Sequence, residues 1–101
     1  MKLLIITSVA EFGKEVKQIL KQAQVKTYSY SNVVGYRNAM QDALATNWFG
    51  TEMNENESIL FYAFVPTENV ESVCDAVNVF NNQQETLSHI HVAVLNIEKF
   101  N

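Results

Sequence analysis

Val25-Lys26-Thr27-Tyr28-Ser29-Tyr30-Ser31-Asn32-Val33-Val34 and Ser58-Ile59-Leu60-Phe61-Tyr62-Ala63-Phe64-Val65 are the two stretches whose reading decides the fold. Both are rich in β-branched and aromatic residues, so both read as strands. Connections in compact domains are mostly about 4–6 residues long, and those beyond roughly 12–15 are uncommon unless they carry function or are disordered. Here residues 35–57 intervene, and that insert is the first place to look for function.

The insert divides into chemically distinct parts. Gly35-Tyr36-Arg37 reads as a turn-like start. Residues 38–45 hold good helix formers, among them Ala39, Met40, Gln41 and Leu44, enough for a short helix. Trp48-Phe49 is an aromatic pair in a polar setting. It serves either to pin the insert onto its own domain or to dock a partner. Residues 51–57 are polar and acidic and are expected to be mobile.

Upstream, residues 2–7 are an apolar run without alternation, as in a strand buried on both faces. Ser8 and Glu11 stand in the S-x-x-E spacing of a capping box. Beyond it Phe12, Val16, Ile19, Leu20 and Ala23 form one helical stripe, opposed by Lys14, Glu15, Lys17, Gln18 and Lys21, and this helix is expected to end near Gln24. Downstream, Pro66 stops the strand and Thr67 is positioned as the cap of a second helix, with Glu68 and Glu71 suited to its dipole. Val70, Val73, Cys74, Val77 and Phe80 make its buried stripe. Cys74 therefore reads as a small core residue, not a nucleophile. Residues 88–97 form the last strand.

Composition excludes several classes. At 101 residues and 48% hydrophobic content the chain fits one domain, residues 1–101. A net charge of −4, with only 7 Lys and Arg in no cluster able to neutralise a phosphate backbone, argues against nucleic acid as a partner. The N-terminal apolar run is too short for a signal peptide, and no stretch approaches the ~20 residues that span a bilayer. We expect a soluble cytoplasmic protein without membrane insertion, in agreement with the single cysteine. Acids such as Asp42, Glu52 and Asp75 are scattered and no nucleophile–base spacing occurs, so an enzyme is not expected.

The order is β-α-β-β-α-β, an α+β, ferredoxin-like arrangement with two helices on one face of a four-stranded antiparallel sheet. Strands apolar at nearly every position do not suit a sheet wetted on one side. No third helix is available to cover the second face, so the expectation is self-association through it in a closed symmetric oligomer.

These residues resemble the PII-like signal-transduction proteins over nearly the whole chain. Val33-Val34-Gly35-Tyr36 looks like that family's second strand running into the Gly-Phe-Gly that opens its long T-loop. Phe64-Val65-Pro66 followed by Val70, Val73 and Ala76 is similar to its V-V-P-D step into the second helix. Val92-Ala93-Val94-Leu95-Asn96-Ile97-Glu98 resembles its C-terminal I-F-V-x-P-V-E run. The resemblance implies a homotrimer with ligand clefts between subunits, where family members bind adenine nucleotides or related effectors. It also implies a T-loop that docks on a protein target such as a membrane transporter. Ser29, Gly35, Tyr36, Arg37, Phe64, His89 and His91 are the ligand-binding candidates, and Trp48 and Phe49 the partner-docking ones.

The family's phosphate-gripping T-G-x-x-G-D-G-K is replaced by Gln84-Glu85-Thr86-Leu87-Ser88-His89-Ile90-His91, without its glycines or its lysine. Arg37 stands where the second glycine of Gly-Phe-Gly would be, and could grip an anion bidentately. Triphosphate binding in the usual manner is thus not expected, nor a standard sensor of ATP and 2-oxoglutarate. An alternative function uses His89-x-His91, two imidazoles expected on one face of a strand, as ligands for a divalent or copper ion. Met40 and Met53 are possible soft ligands, though both suit packing. Divalent-ion tolerance proteins share this fold and trimer. The cofactor is accordingly open between an adenine nucleotide and a divalent metal ion.

Overall fold

A computed structural model describes residues 1–36 and 55–101. Its elements run β1 (Lys2–Val9), a 3-10 turn (Ala10–Phe12), α1 (Gly13–Gln22), β2 (Ser29–Tyr36), β3 (Glu55–Val65), α2 (Thr67–Gln83) and β4 (His91–Asn96). The sheet order is β2-β3-β1-β4, with each neighbouring pair antiparallel. This is the ferredoxin-like α+β fold that the order of apolar segments predicts.

The core lies between the sheet and the helices. Side chains alternate along a strand, so β1 sends Leu4 and Ile6 inward while β3 sends Ile59, Phe61, Ala63 and Val65. Against them pack Val16, Ile19, Leu20 and Ala23 from the first helical stripe and Val70, Val73 and Val77 from the second. Phe12 and Phe80 meet edge to face, with centroids 5.0 Å apart and planes at 77°, joining the two helical segments. The Asn69 amide donates to Ala23 O at 3.2 Å and ties the start of α2 to the end of α1.

Several boundaries differ from the sequence expectation. Ser8 and Glu11 do not form a capping box. Ser8 is a fully buried residue of β1, paired with Ile59, and its hydroxyl donates to Val9 O at 2.9 Å. The ladder to β3 continues through Val9, a 3-10 turn follows at Ala10–Phe12, and the α-helix starts only at Gly13, with no side-chain cap. Thr67 is the first residue of α2, not its cap, and its hydroxyl accepts from the Met1 amino group at 3.4 Å. Pro66 occupies the cap position with φ −55°.

β2 starts at Ser29, not Val25, because residues 23–25 close α1. Gln24 N–H donates to Lys21 O at 3.0 Å and Val25 N–H to Leu20 O at 2.9 Å. This is the Schellman pattern, with Gln24 in the left-handed region at φ 64° and Val25 buried alongside Leu20. At the other end Gly35 and Tyr36 are not a turn but continue β2, paired with Asn56 and Glu55. The acidic stretch 55–57, expected to be mobile, is consequently the start of β3: backbone pairing outweighs its polar composition. The expected helix over 38–45 and the rest of the insert, 37–54, lie outside the described residues. β4 begins at His91 and ends at Asn96, inside the expected 88–97.

Candidate functional site

The register places one set of side chains on the sheet face turned away from the helices. Leu3 pairs with Phe64 and Leu95, Ile5 with Tyr62 and Ala93, and Thr7 with Leu60 and His91. Ser29, Ser31, Val33 and Gly35 of β2 share that face, because Ser29 pairs with Tyr62 and Ser31 with Leu60. The face is strongly apolar and partly open: Tyr62 is 46% exposed, Phe64 55% and Leu95 40%. Sequence continuity explains it, since β1, β3 and β4 are apolar at successive positions and only alternate residues can point at the helices.

Four of the ligand-binding candidates, Ser29, Gly35, Phe64 and His91, therefore occupy one face. They do not converge within one subunit. β2 and β4 are the two edges of the sheet, so the β2 residues stand three strand spacings, about 14 Å, from His91. Tyr36 has the opposite parity and is 59% exposed at the end of β2. Arg37, Trp48 and Phe49, with Met40 and Met53, lie outside the described residues.

His89 and His91 do not share a strand face. His89 precedes β4, which opens only at His91. The cause is Asn81, at the end of α2. Its side-chain amide donates to Ile90 O and accepts from Ile90 N–H, both at 2.8 Å, occupying the backbone groups that would otherwise extend the ladder. Among the described residues no group of three or more His, Cys, Asp or Glu is placed to hold a metal ion.

The segment 84–88 is internally bonded. The Gln84 amide nitrogen donates to Thr86 O at 3.0 Å and Ser88 O at 2.7 Å, and its carbonyl oxygen accepts from Thr86 N–H at 2.8 Å. Ser88 N–H donates to the Thr86 hydroxyl at 3.2 Å. A phosphate cradle needs backbone N–H groups free to point at the ligand. Here Gln84 and Thr86 already hold those of Thr86 and Ser88. This signal was available in the sequence only as missing glycines; the glutamine that fills the loop was missed.

Cys74 is half-buried on α2. Burial, followed by the negative charges of Glu71 and Asp75, pushes its thiol above the ordinary value. A thiol held protonated is a poor nucleophile, which agrees with its reading as a packing residue. No helix among the described residues is long and apolar enough to cross a membrane.

No family model matches the chain, and no curated protein matches it. Solved structures do. One is a nitrogen regulatory PII-like protein, CPII, from Thiomonas intermedia K12, bound to ADP, AMP and bicarbonate. It is 17% identical, with a TM-score of 0.60 over 97% of this chain and 94% of that one. Another is a DUF3240 family protein from Shewanella baltica OS155, 11% identical, with a TM-score of 0.67 over 99% of this chain and 92% of that one. The fold is thus that of a PII-like protein along essentially its whole length.

Proposed function

We propose that the chain is a PII-like regulatory protein of the cytoplasm. It assembles as a homotrimer through the open sheet face, binds a small effector in clefts between subunits, and controls a protein partner through the 35–57 insert. The observation that carries this reading is the distribution of candidate residues over one apolar face. Ser29 and Gly35 sit on one outer strand, His91 sits on the other, and about 14 Å of sheet separates them. A cleft between two copies brings the β2 edge of one subunit to the β4 edge of the next and so assembles a ligand shell that one subunit cannot offer. Clefts of this kind suit small ligands held by a few polar groups in apolar surroundings.

The effector is a small anion or adenine nucleotide gripped without the glycine-rich loop, since the 84–88 segment spends its amides internally. The ligands named for the Thiomonas protein, ADP, AMP and bicarbonate, are the first to try. The insert then presents Trp48 and Phe49 to the target, a membrane transporter being one class of partner.

Thermal unfolding against ADP, AMP, ATP, bicarbonate and Cu, Zn and Ni ions tests the effector. A ligand at 100 times its Kd stabilises by about 2.7 kcal/mol, a shift of several degrees for a domain of this size. We expect the shift with a nucleotide or bicarbonate and its loss in Ser29→Ala/His91→Ala. A shift with metal alone, abolished by His89→Ala/His91→Ala, would replace this reading with metal handling. No shift with any of them would overturn effector binding. Protein lacking 37–54 that captures the same partners as the full chain would overturn the role of the insert.

A further inference from the structure

Away from the open face, a cleft of about 750 Å³ lies along the solvent side of α1 and the link to β2. Lys14, Lys17, Lys21 and Lys26 line it, together with Gln24 and Tyr28. No carboxylate among the described residues lines it. Residues 14–28 carry four lysines against one glutamate, Glu15, in a chain whose net charge is −4. A solvated helix face ordinarily mixes charges of both signs. Here three α1 lysines and one from the following link are gathered round a single concavity.

The cleft is also held in shape. Lys17 Nζ donates to the Tyr30 hydroxyl at 3.3 Å and sits 4.4 Å from the Tyr30 ring centre, fixing one cation against the sheet edge. Tyr28 is half-buried and packs on Phe61, with centroids 5.8 Å apart, so one wall of the cleft is anchored in the core. Gln24 is held in the left-handed region. A glycine would take that conformation without cost, whereas a glutamine there contributes an amide to the cleft.

We propose that this cleft is a second binding site, separate from the inter-subunit clefts, for a small polyphosphate anion. Every cation lining it is a lysine. Lysine acts on phosphate as a point charge, and four such charges round one concavity suit an anion that carries several negative charges on a flexible chain. Its volume falls in the range of small-molecule pockets. The proposal does not rest on trimer assembly or on effector binding at the open face.

Isothermal titration of the full-length protein with inorganic tripolyphosphate, ATP and anionic-lipid vesicles tests it, beside the variant Lys14→Gln/Lys21→Gln/Lys26→Gln. These three side chains are exposed, and the variant keeps the Lys17–Tyr30 contact. Expected is sub-millimolar tripolyphosphate binding at low salt that weakens at least tenfold in the variant and weakens with added salt. ATP binding as tightly as tripolyphosphate supports charge recognition, and tighter binding supports an added base contact at Tyr28. Equal affinity in both proteins, no tripolyphosphate binding at millimolar concentration, or binding to vesicles alone would each overturn the proposal. An unchanged melting temperature of the variant separates lost binding from lost folding. Ser29→Ala/His91→Ala, which removes the open-face candidates, leaves tripolyphosphate affinity unchanged.

Discussion

Gln24 is the one non-glycine residue with positive φ among the described residues, at 64°. An L side chain in that region costs about 1–2 kcal/mol, which the Schellman hydrogen bonds and the burial of Val25 against Leu20 offset. Gln24→Gly is therefore expected to raise unfolding stability by about 1 kcal/mol, somewhat less after the added freedom of the unfolded chain is counted. Urea denaturation measures it, and a destabilised variant would mean that the glutamine amide contributes more than its backbone costs. Cys74 is the second residue with a readable signature. Its thiol titrates above the ordinary value because it is partly desolvated and faces Glu71 and Asp75. The folded thiol keeps its proton longer than the unfolded one. Its contribution is complete below the unfolded pKa and is lost as pH rises from there through the folded pKa. Iodoacetamide should accordingly modify Cys74 more slowly in folded than in unfolded protein at pH 8, with its midpoint shifted to higher pH. Equal rates would show an unshielded thiol.

At the scale of elements, Asn81 substitutes for a strand. Ile90 is 1% exposed, so its N–H and C=O would be buried without partners if the side-chain amide were removed. Each orphaned group costs about 1–3 kcal/mol. Asn81→Ala is expected to destabilise by about 2–4 kcal/mol, read as a lower urea midpoint with unchanged slope. A loss below about 0.5 kcal/mol would mean that the start of β4 repairs itself. The same bracket explains what was and was not legible in the sequence. Element order and both helical stripes, Val16-Ile19-Leu20 and Val70-Val73-Val77, were readable because burial imposes a period that local rules detect. Boundaries set by a partner distant in sequence were not. Ser8 looked like a cap until Ile59 claimed it for the ladder, and Gly35-Tyr36 looked like a turn until Asn56 and Glu55 paired with them. His89 looked like a strand residue until Asn81, eight positions earlier, took the backbone of Ile90. Of the candidate site, the sequence named Ser29, Gly35, Phe64 and His91 without placing them together; that they share one face follows from the strand register. Their separation across the sheet needed the strand order, which no local pattern carries.

For the whole molecule, the unsolved problem is the face bearing Leu3, Ile5, Leu60, Tyr62, Phe64 and Leu95. Thr7 and Ser58 near its middle are buried, and the exposed polar residues Ser29 and Ser31 lie on the outer strand β2, while large exposed apolar side chains gather at Tyr62, Phe64 and Leu95. Exposed apolar clusters of this kind on a small domain mark an interface. Burying a side chain such as Phe or Tyr contributes about 1.5–3 kcal/mol. In a trimer each substitution acts three times. Tyr62→Glu/Phe64→Glu removes that burial and sets like charges against one another around the symmetry axis. A loss of even 1.4 kcal/mol per subunit multiplies the dissociation constant by about a thousand, since each such step is tenfold. Sedimentation equilibrium at micromolar concentration should then find wild-type protein as a trimer and the double variant as a monomer. Far-UV circular dichroism should match between them, because Tyr62 and Phe64 face away from the core and their backbone pairing with Ile5 and Leu3 is unaffected. A wild-type monomer at tens of micromolar would overturn trimer assembly and, with it, the inter-subunit cleft. The polyphosphate cleft along α1 would stand, because all the residues that line it come from one subunit.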